Sequence, residues 1–80
     1  MMDLNVLFKV AFGHIVTKTR EIAEISMEDL SKKSTVPVDR LQEIEEGTTE
    51  ANVVEIIRLA LALEMRPASL SLRAEANVFA

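Results

Sequence analysis

The chain has 80 residues, 49% of them apolar and only 4% aromatic, and its nine basic and thirteen acidic side chains give a net charge of −4. That length supports one modest core and excludes a catalytic cleft between two lobes, and the aliphatic composition suits helices packed on helices. With no cysteine and one histidine, His14, a disulfide framework is excluded, and no structural zinc, other metal or cofactor is expected.

Positions Leu4, Leu7, Phe8, Ala11, Phe12, Ile15, Thr19 and Ile22 recur at helical spacing and predict a long first helix from Leu4 to about Ala23. A second stripe, Val6, Val10, Gly13 and Val16, lies beside the first and is wider than one helix of a small domain has to bury. It implies packing against the C-terminal end or against another chain. Gly13 reads as a close-contact site or a weak point, costing about 1 kcal/mol relative to Ala in a helix interior. Ser26, with Asp29 three residues on, is a ready N-cap for a second helix from Met27 to about Ser34, and Leu30 begins its buried face.

The polar run Lys32 to Thr35 breaks the periodicity, and Pro37 can occupy the first turn of a third helix that ends at Glu46. Leu41 and Ile44 form its buried stripe, and Gly47 can close it in a left-handed conformation. Thr48 and Thr49 offer N-caps for a fourth helix whose expected core stripe is Val53, Ile56, Ile57, Ala60, Leu61 and Leu63. Met65, Arg66 and Pro67 interrupt it. Pro67 can start a short fifth helix through Leu72 with Leu70 inward, leaving residues 73–80 as a tail with isolated apolar Val78 and Phe79. The expected architecture is an all-α five-helix domain over residues 1–80, with a helix-turn-helix at helices two and three. No basic segment precedes an apolar run and no stretch approaches about 18 uncharged apolar residues, so neither export nor membrane insertion is expected; the cytoplasm is the default.

This pattern resembles the lambda-repressor-like DNA-binding domains of the Xre and Cro class, over roughly Phe12 to Leu72. Its carriers are Ile15 with Arg20, Ile25-Ser26, Leu30-Ser31, Leu41, Ile44-Glu45 and Gly47, then Leu59-Ala60, Leu63 and Pro67 to Leu70. The short chain and long first helix also resemble restriction-modification controller proteins, which dimerise through the last helix. The resemblance implies a largely buried Arg20–Glu45 pair, a structural staple from the first helix to the end of the third. Three positions where the family favours glycine carry Glu24, Thr35 and Glu64, so those turns are expected to be rebuilt as longer helix ends. The family's usual glutamine at the start of the second helix is Met27, so its brace and phosphate contact are lost.

The family's base-reading positions correspond to Pro37, Val38, Asp39 and Glu43, and its phosphate-binding loop to Thr48-Thr49-Glu50. Asp39 and Glu43 can accept only from cytosine N4, Val38 can touch a thymine methyl, and Arg40 is the one conventional reader or phosphate contact of the third helix. Lys32 and Lys33 add a small electrostatic footprint. Between Val36 and Glu50 five acids face one base, a net charge equal to that of the whole chain. The acidity is local.

Two functions follow as expectations. One is a small transcriptional regulator, a homodimer that binds double-stranded DNA through the third helix, with affinity weakened by that helix's acidity. The other is a helix-turn-helix turned to protein recognition through the same acidic face, an antagonist or partner of another regulatory protein. Surplus apolar side chains Leu70, Leu72, Val78 and Phe79 are the expected dimer interface. Nothing in the sequence places a nucleophile beside a base, so an enzyme is not expected.

Overall fold

A computed structural model describes residues 3–79, apart from the side chains of residues 71 and 77–79. The elements are five helices: α1 (Leu4–Ile22), α2 (Met27–Ser34), α3 (Val38–Glu46), α4 (Val53–Ala62) and α5 (Pro67–Phe79). Each start has a local cause. The Asp3 carboxylate accepts from the Asn5 N–H at 2.8 Å, and the Ser26 hydroxyl accepts from the Asp29 N–H at 3.1 Å. Asn52 caps α4, not Thr48 or Thr49. Its side chain accepts from the Glu55 N–H while the Glu55 carboxylate accepts from the Asn52 N–H, a reciprocal box that satisfies two helix-end donors. Pro37 stands just outside α3, with no side-chain acceptor, so the helix begins one residue later than expected.

The helix ends depart from expectation more sharply. Glu24, Thr35 and Glu64 keep the left-handed conformation that glycine would adopt, at φ 59°, 60° and 58°. The turns are not rebuilt as longer helix ends. At two of them the backbone closes as it does at a glycine: the Ile25 N–H reaches the Arg20 carbonyl at 3.1 Å, and the Met65 N–H reaches the Ala60 carbonyl at 2.8 Å. Gly47, at φ 75°, closes α3 in the same way, with the Thr48 N–H on the Glu43 carbonyl.

Phe12, Val16, Leu30, Val36, Leu41, Ile44, Leu59, Leu63, Leu70 and Ala74 form the core, and α1 runs along both α5 and α3. That double contact covers only part of its broad apolar surface: Val6 and Val10 of the second stripe are 39% and 52% exposed, contrary to expectation. Gly13 and Val16 are buried, whereas Leu4 and Ile22 of the expected stripe stand outward at its two ends. A helix of 19 residues is about 28 Å long and overhangs what it packs on. In α4 the buried set is Leu59 and Ala60, joined by Leu63 at its C-cap, with Ile56 half-buried, while Val53, Ile57 and Leu61 face outward, contrary to expectation. The fifth helix does not stop at Leu72 but runs on to Phe79. Leu70 and Ala74, one turn apart, are both fully buried and hold it down.

Candidate nucleic-acid interface

The α2–turn–α3 unit is fixed from beneath by Leu30, Leu41 and Ile44, and the turn itself is tied by two serines. The Ser31 hydroxyl donates to the Val36 carbonyl at 2.6 Å, and buried Ser34 accepts from the Val36 N–H at 3.2 Å. Val36 is thereby drawn into the core, and Thr35 takes the left-handed conformation that reverses the chain.

Two guanidinium groups hold α3. Arg20 of α1 donates through Nε to Glu45 Oε2 at 2.9 Å, through Nη2 to Oε1 at 3.0 Å, and through Nη1 to the Ile25 carbonyl at 3.0 Å. Thr17 adds a bond to Glu45 Oε1 at 2.9 Å. The expected staple is present and is larger than expected, because the Thr17 hydroxyl joins it. Planar bidentate pairing of this kind satisfies a largely buried carboxylate. The hydrogen bond with Glu45 raises the Arg20 pKa above its already high value, against the lowering effect of burial. Beside this staple the Gly13 Cα lies so close to the Ile44 and Glu45 carbonyls that a Cβ there would strike backbone.

The second guanidinium belongs to Arg40, and it does not project as a reader. Nε and Nη2 grip Glu55 of α4 at 2.7 and 2.8 Å, Nη1 donates to the Thr49 hydroxyl at 2.7 Å, and Nη2 also reaches the Glu50 carbonyl at 2.7 Å. The expectation that Arg40 reads bases or phosphate gives way to a clamp between α3 and the segment leading into α4. Its hydrogen bond holds the Glu55 carboxyl below the usual carboxylate value, with desolvation opposing. The same contact raises the Arg40 pKa.

What α3 shows to solvent is therefore Val38, Asp39, Gln42, Glu43 and Glu46, with Pro37 exposed before them. Gln42 bonds Glu46 at 3.0 Å. Of the acids between Val36 and Glu50, Glu45 is neutralised inside the fold, and the one base, Arg40, is spent on Glu55. The outward face of α3 carries three carboxylates and no cation. Lys32 and Lys33 are exposed in the last turn of α2; Thr48 is exposed and donates to the Glu43 carbonyl. Met27 is half-buried against the core, a packing residue where a polar brace was missing. Of the expected dimer residues, Leu70 is buried inside the fold, Leu72 faces outward, and Val78 and Phe79 lie outside the described side chains.

Sequence reasoning missed Thr17, Glu55 and Asn52. Asn52 with Glu55 three residues on is a capping-box spacing that could have been found. Thr17 is one turn before Arg20 and so shares its face, a weaker signal. Among the described residues, no group of three or more His, Asp or Glu side chains is placed to hold a metal, and no helix is long and apolar enough to cross a membrane. A cavity of about 100 Å³ beside Phe8, Lys9 and Glu50 is far smaller than a nucleotide-sized site.

No protein-family model and no curated protein matches the chain. Solved structures do. The clp gene regulator ClgR from Corynebacterium glutamicum superposes with a TM-score of 0.84 at 21% identity, covering 90% of this chain and 77% of that one. A second structure of ClgR gives a TM-score of 0.80 at 21% identity, with 88% and 91% covered. The restriction-modification controller protein C.AhdI from Aeromonas hydrophila gives 0.74 at 29% identity, covering 78% of this chain and 94% of that one. The expected architecture is the observed one, and the chain has the all-α, lambda-repressor-like helix-turn-helix fold of these regulators.

Proposed function

We propose that this chain is a small cytoplasmic transcriptional regulator, not an enzyme, and that as a homodimer it docks on double-stranded DNA through the α2–turn–α3 unit. The observation that carries this reading is the shared fold: two neighbours described as a gene regulator and a controller protein match over most of their own lengths. Lys32 and Lys33 supply the phosphate contacts, Val38 meets a thymine methyl, and Asp39 and Glu43 restrict the reading to cytosine N4 donors. With two lysines from each protomer, about four phosphates are neutralised. A fluorescent duplex titrated at about 50 mM and then about 200 mM salt is expected to lose affinity about a hundredfold, and Lys32→Ala with Lys33→Ala to flatten that slope. Absence of binding at the lower salt, to random duplex and to candidate operators alike, overturns the reading.

A second reading is favoured by one observation, the outward α3 face of Asp39, Glu43 and Glu46 with Arg40 held by Glu55. On this reading the face receives a basic regulatory protein. Glu43→Lys with Glu46→Lys separates the two: it strengthens DNA binding if DNA is the partner, and abolishes protein capture if it is not.

A further inference from the structure

A hollow of about 100 Å³ opens to solvent between α1 and the link that joins α3 to α4. Asn5, Phe8, Lys9 and Phe12 form one wall, and their i, i+3, i+4, i+7 spacing puts them on a single stripe of α1. Glu50 and Ala51 form the other. The apolar part of the lining is buried Phe12 with half-buried Phe8 and Ala51, the two rings stacked at 6.0 Å. The rim is polar and carries both signs of charge. Among the described residues, Lys9 and Glu50 pair neither with each other nor with any other charged group, and the Asn5 side chain has no hydrogen-bond partner. Ala51 leaves the hollow open where a longer aliphatic side chain would close it.

We infer that the hollow is a binding site for a free amino acid with a branched aliphatic side chain, such as leucine or valine. Size selects the side chain. An apolar cavity of about 150 Å³ accepts benzene and a water molecule occupies about 30 Å³, so about 100 Å³ holds roughly three or four carbons and not a ring. Charge selects the head. Lys9 can take a carboxylate, Glu50 can take an ammonium group, and the Asn5 amide can donate to the first or accept from the second. A carboxylic acid or an amine alone would satisfy one charge and leave the other facing it. A residue inside a peptide carries neither charge on its backbone, so the occupant is the free amino acid. The Glu50 carbonyl also accepts from Arg40, so a ligand seated here braces the link that Arg40 ties to α3. The hollow is in that sense an effector site, whatever partner α3 meets.

Titration of the isotope-labelled intact chain with L-leucine and with L-valine is expected to shift the backbone amides of residues 5–12 and 50–51. The dissociation constant expected for so small a ligand is about a millimolar, and the titration runs to about 20 mM. Leucine at about ten times that constant raises the melting temperature by about 5 to 10 °C. Glycine has the head without the side chain, and isovalerate has the side chain and carboxylate without the ammonium group; each binds about tenfold more weakly. Lys9→Met and Glu50→Gln change rim groups and keep the fold. Each weakens leucine about tenfold, whereas Glu50→Gln does not weaken isovalerate. Ala51→Leu fills the hollow and abolishes binding; if that variant unfolds, the two rim variants decide. No localised shift with either amino acid, glycine binding as well as leucine, Glu50→Gln weakening isovalerate as much as leucine, or a folded Ala51→Leu that still binds overturns the inference. None of these measurements involves DNA, so the site and the DNA reading stand or fall separately.

Discussion

At Gly13 the absence of a Cβ is a packing requirement, because the Ile44 and Glu45 carbonyls occupy the space a methyl would need. Gly13→Ala gains helix propensity and still destabilises, by about 1 to 3 kcal/mol, since neither helix backbone can yield cheaply; urea denaturation measures the loss. The left-handed glutamates run the other way. Glu24 and Glu64 are exposed and close their turns with a Cβ that glycine would lack. Glu24→Gly is expected to raise stability by about 0.5 to 1 kcal/mol net of the extra freedom it gives the unfolded chain. A lowered melting temperature would contradict it. Residues whose signal is local were legible from the sequence: Ser26 as a cap, Gly47 as a left-handed stop. The Arg20–Glu45 pair came from family resemblance. Arg40 was misread because its partner, Glu55, lies fifteen positions away on another helix, and spacing along one helix says nothing of such a contact.

Among the elements, α1, α2 and α3 were placed within a residue or so, because each carries a cap or a break at its ends. The inward side of α4 was not, because a helix apolar all round has no contrast for periodicity to detect: spacing put Val53 and Leu61 in the core stripe, and buried Leu59 entered only as a carrier of the family resemblance. The continuation of α5 was hidden for a different reason. Its anchor past Leu72 is Ala74, a small residue whose burial leaves little trace in hydropathy. The α3–α4 clamp has a pH signature. Arg40 depresses the Glu55 pKa in the folded chain, so the clamp's contribution is complete above the ordinary value of 4.5 and is lost as pH falls through the lower folded value. The stability difference between wild type and Glu55→Gln is therefore widest at neutral pH and narrows on acidification below about 4.5. A gap that stays constant down to pH 3 in urea titrations would dissociate Glu55 from acid unfolding.

Over the described residues, the core is largely aliphatic, with Phe12 its one fully buried aromatic, and the fold follows from it with little dependence on what solvent sees. This explains the divided outcome for the candidate site. The helix-turn-helix scaffold could be inferred from buried positions, while the partner depends on exposed ones, where composition is unconstrained by packing. Charge reversal at Glu43 and Glu46 should accordingly leave the melting temperature within about 2 to 4 °C of wild type, because substitutions away from the core shift stability by about 0.5 kcal/mol. A large drop would mean that these carboxylates support the fold after all.

Helix α3 is strapped from two directions, to α1 through Glu45 and to α4 through Arg40, yet Val38, Asp39 and Glu43 have no part in either strap. Whatever meets this helix thus meets a surface already ordered, whose side chains can be rewritten one at a time without renegotiating the fold. The domain is in that sense a blank die: a new partner could be sought by randomising positions 38, 39, 42, 43 and 46 alone, and selection would act on recognition rather than on folding.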